Sequence, residues 1–261
     1  MKLADKVIVV TGAGSGIGRA LVQRFASEGA AHVVSVDINE DNAKKTAEEF
    51  GGLAFAADVS NDQAIENIVN ETEEKLGPID LFCSNAGIGI GQSEQSPLDE
   101  WQLSWDVNVM SHVLAARRLL PRMLKRGSGY FLNTASAAGL LNQIGGAAYG
   151  VTKHAAVGFG EWLALSYGHK GIKVSMLCPQ AVRTAMTDVD PNDDNGSLQA
   201  AAADGMIEPE QVADSVVDGL DKESFLILPH PEVATYIQRK TSDYDRWING
   251  MNRMHQALTG D

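Results

Sequence analysis

The chain has 261 residues, 44% of them apolar, which is enough to bury a full core, so one domain spanning residues 1–261 is expected. Its 34 acidic and 21 basic residues give a formal net charge of −13, which disfavours nucleic acid and anionic membranes as partners. No apolar run approaches the roughly 18 residues of a membrane-spanning helix. Cys83 and Cys178 end apolar runs, which suits reduced core thiols of a cytoplasmic protein better than a disulfide framework.

Short β-rich apolar runs alternate with longer amphipathic stretches along the chain. This alternation is typical of repeated β-α units. It predicts a Rossmann-like, doubly wound parallel sheet of about seven strands with helices on both faces. The predicted strands are Lys6–Val10, His32–Val36, Leu53–Ala57, Ile79–Cys83, Tyr130–Asn133, Lys173–Leu177 and Phe225–Leu228.

The turn after the first strand is rich in glycine and leads into a helical pattern. It contains Gly12, Ser15, Gly16, Ile17 and Gly18. Glycines let the backbone approach a pyrophosphate, whose charge is stabilised by free N–H groups at the helix start. The spacing is G-x-x-x-G-x-G rather than G-x-G-x-x-G. We interpret the turn as a phosphate-binding cradle, the alternative being a flexible loop.

Asp37 follows the second strand, about 20 positions after the cradle. A carboxylate there accepts hydrogen bonds from an adenosine ribose and repels a 2′-phosphate, which favours NAD over NADP. Neighbouring Ala13 and Ile38 supply no cation to reverse that preference. The alternative is an aspartate that caps the next helix, although Asn39 or Asp41 can do this instead.

The next two strand ends carry small and polar residues suited to a ligand. Asp58 and Val59 follow the third strand and pair a polar acceptor with an apolar wall for an adenine ring, and Ser60 is the expected N-cap of the next helix. The fourth strand is followed by Asn85, Ala86 and Gly87. The loop Ile88–Ser96 is then expected to line the mouth of a pocket.

Four polar side chains in the middle of the chain are candidate catalytic groups. Asn108 lies in a long predicted helix, where an asparagine usually faces solvent. Ser136 follows the fifth strand, at the sheet edge where such folds bind ligands. Tyr149 and Lys153 stand at i and i+4, so they share one helix face, and a nearby ammonium favours the phenolate of an acid/base tyrosine. On its own, this pair is common in helices without function.

Together these motifs resemble those of the short-chain dehydrogenase/reductase family, in its order and spacing, from about Lys6 to Thr184. They are Thr11-Gly-x-x-x-Gly-Ile-Gly18, Asn85-Ala-Gly87, Asn108, Ser136 and Tyr149-x-x-x-Lys153. The resemblance implies that Tyr149 is the general acid/base and that Lys153 holds the nicotinamide ribose and lowers the tyrosine pKa. It also implies that Ser136 orients the substrate oxygen and that Asn108 anchors a proton-relay water.

The resemblance implies an NAD-dependent oxidoreductase that interconverts a small-molecule secondary alcohol and a ketone and forms a homo-oligomer, dimer or tetramer. An alternative is a dinucleotide-binding sensor without catalysis, because fold does not decide function. Sugar-nucleotide epimerisation is a third reading, which the glycine spacing disfavours. The histidines show no metal-ligand spacing, so no metal is expected.

The segment after the sixth strand resembles the family segment that covers the nicotinamide, through Pro179, Val182 and Thr184. Gln180 departs from the pattern, since the family most often has glycine there. Its amide is expected either to narrow the pocket or to bind a polar substrate group. Flanking apolar residues predict a mainly apolar substrate; they are Ile88, Ile90, Leu140, Leu141 and Met186.

The C-terminal part of the chain is the least constrained by the resemblance. Residues 185–209 are expected to form a substrate lid and residues 231–258 a helical extension. The chain lacks the glycine-rich final strand that helps many relatives build a tetramer, which puts that assembly in doubt. Trp247, Met251 and Met254 lie on one helix face, expected to pack in the core or against another subunit, with a pocket wall as the alternative.

Overall fold

The computed structural model describes residues 1–188 and 197–260. Within them, seven parallel strands form one sheet in the order β3-β2-β1-β4-β5-β6-β7. The strands are β1 (Val7–Thr11), β2 (His32–Asp37), β3 (Ala54–Ala56), β4 (Leu81–Ser84), β5 (Gly129–Thr134), β6 (Ile172–Leu177) and β7 (Leu226–Ile227). The predicted fold class and all seven predicted strands are confirmed, with ends that differ by at most two residues.

Helices connect the strands. They are α1 (Gly16–Ser27), α2 (Glu40–Phe50), α3 (Asp62–Leu76), α4 (Leu98–Trp105), α5 (Ser111–Arg126), α6 (Ala138–Leu141), α7 (Ala147–Tyr167), α8 (Ser197–Ala201), α9 (Pro209–Asp221), α10 (Glu232–Ser242) and α11 (Tyr244–Thr259). A π-helical turn, Asp106–Met110, joins α4 to α5 without a break. Short 3₁₀ turns cover Gly168–Lys170 and Ala185–Thr187.

The sheet separates two apolar cores, because side chains alternate between its faces. One core contains Phe82 and Phe131 under α3, α5 and α7. The other contains Leu81 and Leu132 under α1 and α9. Coverage on both faces explains why the central strands are continuous apolar runs, as parallel sheets require.

Helix starts are set by local polar side chains, and one predicted cap is wrong. Asn61, not Ser60, caps α3: its Oδ1 accepts from the backbone N–H groups of Gln63 and Ala64 at 2.9 and 3.1 Å. The Ser60 hydroxyl instead donates to Asp58 at 2.7 Å, because the aspartate at the end of β3 is the nearer acceptor. Asn39 caps α2, leaving Asp37 free of that role.

The C-terminal extension consists of two helices rather than one. Asp243 breaks the helical path, and its side chain caps α11 by accepting from Arg246 N–H at 2.9 Å. Of the predicted lid, residues 189–196 lie outside the described residues, while α8 and the turn after it fall within them. In the part of the chain that the structure describes, no helix has the length and apolarity needed to cross a membrane, and no metal-ligating cluster occurs.

Candidate functional site

One cleft of about 1260 Å³ opens at the carboxyl ends of the strands. Such sheets bind ligands there, at the point where the strand order reverses between β1 and β4. The predicted cofactor residues all line it: Gly12, Ser15, Gly16, Ile17, Gly18, Asp37, Asp58, Val59, Asn85, Ala86, Gly87, Tyr149, Lys153, Pro179, Val182 and Thr184. Ser136 lines it too, so residues from six strand ends meet in one space.

The glycine-rich turn fits a phosphate group. Gly12 and Gly16 have φ values of 65° and 49°, which side chains rarely tolerate. A Cβ at Gly18 would lie 2.0 Å from the Gly12 carbonyl oxygen, so only glycine lets the turn pack against α1. The Ser15 side chain makes no capping bond, and the first N–H groups of a helix have no partner within it. Such donors are suited to hold an anion even in an acidic protein.

Asp37 is held at the end of β2 by two backbone donors. Its Oδ2 accepts from Gly14 N–H at 2.8 Å and its Oδ1 from Asn39 N–H at 2.9 Å. A Cβ at Gly14 would come within 2.9 Å of this carboxylate, so the turn and the aspartate fit each other closely. The carboxylate remains on the cleft wall, next to the cradle.

Thr11 and Asn85 join the ends of three strands beneath the cleft. The Thr11 hydroxyl accepts from the backbone N–H groups of Asn85 and Ala86 at 2.9 and 3.1 Å. Asn85 Nδ2 donates to the Thr11 carbonyl at 3.0 Å, and its Oδ1 accepts from the Thr134 hydroxyl at 3.1 Å. This network fixes the small Asn85-Ala-Gly87 turn that the sequence singled out.

Tyr149 and Lys153 share one face of α7, as their spacing predicted. The Lys153 ammonium lies 5.5 Å from the centroid of the Tyr149 ring and donates to the Thr134 carbonyl at 3.2 Å. Lys153 is only 2% exposed, and burial lowers its pKa to about 8. Burial also raises the pKa of Tyr149, and the Ser136 hydroxyl offsets part of that change. The tyrosine pKa in this structure is therefore raised rather than lowered as predicted, because desolvation outweighs the hydrogen bond from Ser136.

Ser136 lies beside the phenol at the exit of β5. Its hydroxyl donates to the Pro179 carbonyl at 3.3 Å and accepts from Ala138 N–H at 3.1 Å. The side chain is therefore held between the β5 exit and the segment after β6. Its hydroxyl and the phenol of Tyr149 reach the same region of the cleft.

Asn108 is buried, in contrast to the usual exposure of a mid-helix asparagine. The π-helical turn directs its side chain inward, where Oδ1 accepts from Ile88 N–H and Nδ2 donates to the Ile88 carbonyl, both at 2.9 Å. Nδ2 also donates to the Thr152 hydroxyl at 3.1 Å. A Cβ at Gly87 would come within 3.2 Å of both Asn108 Oδ1 and the Lys153 ammonium, so these groups converge behind the cleft wall.

The far half of the cleft is mainly apolar, and most of its predicted residues line it. Ile88, Ile90, Leu141, Gln180 and Met186 do so. Leu140 does not, because the short helix α6 turns it toward the core, where its carbonyl accepts from the Lys240 ammonium at 2.6 Å.

The face of α11 that carries Trp247, Met251 and Met254 lines the cleft, so the pocket-wall alternative is confirmed and the expectation that this face packs in the core is wrong. Packing of the same face against another subunit stays a prediction. No periodic pattern reveals which surface an apolar helix face meets.

Three polar residues that the sequence did not single out also line this half. Asp204 accepts from the Tyr236 hydroxyl at 2.8 and 3.0 Å and from Gln180 Nε2 at 3.2 Å. Arg239 stacks over the Tyr236 ring at 5.8 Å. Asp204 lies far from Tyr236 and Arg239 in the chain, so no spacing rule brings it to them.

Known proteins resemble this chain along most of its length. The sequence pattern described as short chain dehydrogenase matches residues 6–195. Meso-2,3-butanediol dehydrogenase of Serratia marcescens is 36% identical over 217 residues, 82% of this chain and 86% of the relative. The 1-deoxy-11-beta-hydroxypentalenate dehydrogenase of Streptomyces exfoliatus is 32% identical over 258 residues, 95% and 92% of the two chains. A short chain dehydrogenase/reductase of Burkholderia phymatum, solved in complex with NAD, is 29% identical with a TM-score of 0.83, covering 94% and 96%.

Proposed function

This chain belongs to the short-chain dehydrogenase/reductase family of oxidoreductases, and from that premise we propose that it interconverts a secondary alcohol and a ketone with NAD as cofactor. The observation that carries the proposal is the position of Tyr149, Ser136 and Lys153 on one wall of the cleft that also contains the glycine cradle. A phenol and a hydroxyl that reach one point are the groups that a hydroxyl-to-carbonyl reaction needs.

In the proposed reaction, Tyr149 exchanges the proton of the substrate oxygen. Ser136 turns its hydroxyl hydrogen from the Pro179 carbonyl to that oxygen and donates to it as it gains carbonyl character, while Ala138 N–H still holds the serine oxygen. The glycine cradle, Asp37 and Lys153 would hold the dinucleotide, which would supply a hydride acceptor for the carbinol carbon. Lys153, charged at neutral pH, stabilises the phenolate that forms when Tyr149 gives up its proton. Asn108 supports the wall behind Lys153 and is the proposed anchor of the relay water.

NAD rather than NADP is proposed because Asp37 places a carboxylate beside the cradle. Its two backbone donors keep the carboxylate on the cleft wall, where it repels a 2′-phosphate. The relative from Burkholderia phymatum was solved with NAD. The cradle itself accommodates either dinucleotide, so this preference depends on Asp37.

The proposed substrate is a mainly apolar alcohol or ketone. The far half of the cleft is enclosed on one side by Leu141 and Met186, from the segments after β5 and β6. On the other side it is enclosed by Trp247, Met251 and Met254 of α11. We also propose that residues 185–209 act as a lid. Its described parts, 185–188 and 197–209, contribute Met186, Leu198 and Asp204 to the cleft wall. The C-terminal extension then acts as the opposite wall.

A homo-oligomer is proposed from an apolar stripe on the surface, and a cytoplasmic location from two buried thiols. Val151, Trp162 and Leu165 form an apolar stripe along α7, and they are 49%, 51% and 83% exposed. Such a stripe favours packing against a second copy. Cys83 and Cys178 are buried and free, which supports a reducing compartment.

The proposal is tested by following nicotinamide absorbance with purified protein, NAD or NADP, and a panel of aliphatic, aromatic, steroid and hydroxyacyl alcohols. Oxidation of at least one alcohol is expected, with turnover lost in Tyr149→Phe while NADH binding, measured by fluorescence, is retained. A matched control is Tyr130→Phe, since Tyr130 bonds Ser175 in the core and lies outside the cleft. A fully active Tyr149→Phe variant would overturn the mechanism, and inactivity across the panel with intact NADH binding would favour the sensor alternative.

A further inference from the structure

A polar layer lies behind the cleft wall, between the sheet and α5. Ser84 ends β4 and Asn133 lies opposite it in the register of β5. They follow Phe82 and Phe131 by two positions, so they face the same core as those rings. His112 of α5 faces the same core, two turns before Leu119.

The polar atoms of this layer are buried and lack partners. Ser84, His112 and Asn133 are 3%, 1% and 1% exposed. Ser84 Oγ, both ring nitrogens of His112 and Asn133 Nδ2 have no hydrogen bond of normal geometry. Buried polar atoms without partners are costly, and native proteins commonly satisfy them with ordered water. Four such atoms in one layer supply the two to four polar contacts that an internal water requires.

Lys153 lies next to this layer. Its ammonium donates to the carbonyl of Thr134, the residue after Asn133. The Asn133 side chain and the Asn108 backbone lie against the His112 ring without forming well-aligned bonds. Burial, together with the charge of Lys153, lowers the pKa of His112 to about 4. The nearby Cys178 thiol is neutral, because burial raises its pKa to about 12. The imidazole is therefore neutral, with one acceptor and one donor nitrogen.

We propose that Ser84, His112 and Asn133 hold an ordered internal water that accepts a hydrogen bond from the Lys153 ammonium. His112 is then a positioning residue, which acts on the chemistry only through Lys153. An acceptor beside a buried ammonium stabilises its charged form and opposes the effect of burial. The effect on turnover rests on the proposed function, whereas the water and the proton affinity of Lys153 are properties of the protein itself.

The test compares His112→Leu, which has no polar atom, with His112→Gln, which keeps an acceptor and a donor. The pKa of Lys153 is measured by NMR on cofactor-free protein labelled with ¹³C at the lysine ε-carbon, with Lys153→Met assigning the signal. His112→Leu is expected to lower this pKa by about one unit, tenfold in the acid dissociation constant, and His112→Gln to restore the wild-type value. A high-resolution crystal structure should show the water between His112 and Lys153.

The control is Thr72→Val in α3, which also removes a buried hydroxyl without a partner but lies near the end of its helix, away from the cleft. It should leave the Lys153 signal unchanged. An unshifted pKa in His112→Leu overturns the proposal, as does a dry layer in the crystal. If His112→Leu does not fold, Ser84→Ala removes one partner of the water, and an unshifted Lys153 pKa there overturns it equally. The NMR and crystallographic readouts need no turnover, so failure of the water proposal can be told apart from failure of the proposed reaction. If the enzyme is active, the pH profile of alcohol oxidation should shift with the Lys153 pKa.

Discussion

The side chain of Asn108 pairs with both backbone groups of Ile88, accepting from its N–H and donating to its carbonyl at 2.9 Å each. This pairing attaches the loop after β4 to the π-helical turn before α5. The loop carries Gly87, Ile88 and Ile90 into the cleft. A single buried amide therefore positions part of the wall around Lys153.

Replacement of Asn108 by leucine should reduce both stability and activity. It leaves the Ile88 backbone groups without their partners, and each such loss costs about 1–3 kcal/mol. The free energy of unfolding, measured by urea denaturation, should fall by about 2–4 kcal/mol. Thr152→Val leaves the Ile88 pairing intact. It removes the third bond of Asn108 and the bond from the Thr152 hydroxyl to the Tyr149 carbonyl, and it should cost about 1 kcal/mol. Equal losses in the two variants would contradict the role of the Ile88 pairing.

Asp37→Asn should change the cofactor preference. The amide oxygen can still accept from Gly14 N–H, but the negative charge that repels a 2′-phosphate is gone. The ratio of NADPH to NADH dissociation constants, measured by fluorescence titration, should fall by about tenfold, or roughly 1.4 kcal/mol. Asp58→Asn is the control, because Asp58 lines the cleft at the next strand and bonds Ser60 instead. An unchanged ratio in Asp37→Asn would show that another group selects the cofactor.

Lys153→Met should stabilise the protein without cofactor at neutral pH. Burial lowers the folded-state pKa of Lys153 from its usual 10.5 to about 8, so protonation favours the unfolded chain. The cost is fully present below pH 8, roughly 3 kcal/mol at most, and is relieved as pH rises from about 8 to 10.5. Removing the ammonium also removes the bond to the Thr134 carbonyl, which offsets part of the gain.

Urea denaturation of Lys153→Met and wild type should therefore show the variant more stable at pH 7, by about 1–3 kcal/mol. The difference should shrink by pH 10. Lys173→Met, at an exposed lysine paired with Glu223, is the control and should be slightly destabilised at pH 7. A variant of Lys153 that is less stable at both pH values would mean that its packing and hydrogen bond outweigh the cost of burial.

Gln180→Gly should broaden the range of substrates. The amide occupies space on the cleft wall and donates to Asp204, which links the segment after β6 to the turn after α8. Its loss should raise kcat/KM for bulky alcohols relative to small ones by about tenfold, a change of roughly 1.4 kcal/mol.

Tyr236→Phe separates volume from tethering in that experiment. It removes the hydroxyl bonds to Asp204 but leaves the amide of Gln180 in the cleft. If only Gln180→Gly changes the preference for bulky substrates, the volume of the amide sets the limit. Hydrogen exchange over 197–205 should rise in both variants, and protection unchanged in both would exclude the tether.

The sequence alone determined the features that depend on local periodicity. Apolar runs placed all seven strands, since residues such as Val9 and Phe82 must be buried on one face or the other of a covered parallel sheet. The spacing of Tyr149 and Lys153 predicted a shared helix face because the helical repeat is fixed. The glycine spacing predicted the cradle, since Gly18 lies where any Cβ would meet the Gly12 carbonyl.

Only the tertiary structure decided what depends on groups distant in the chain. Asn108 is buried because a π-helical turn directs it to Ile88, and α11 meets the cleft because the whole fold brings it there. The pKa of Tyr149 rises because desolvation depends on every neighbour, whereas the i, i+4 rule sees only Lys153. Burial and partner choice are sums over contacts in space, and neither is written in the spacing of residues along the chain.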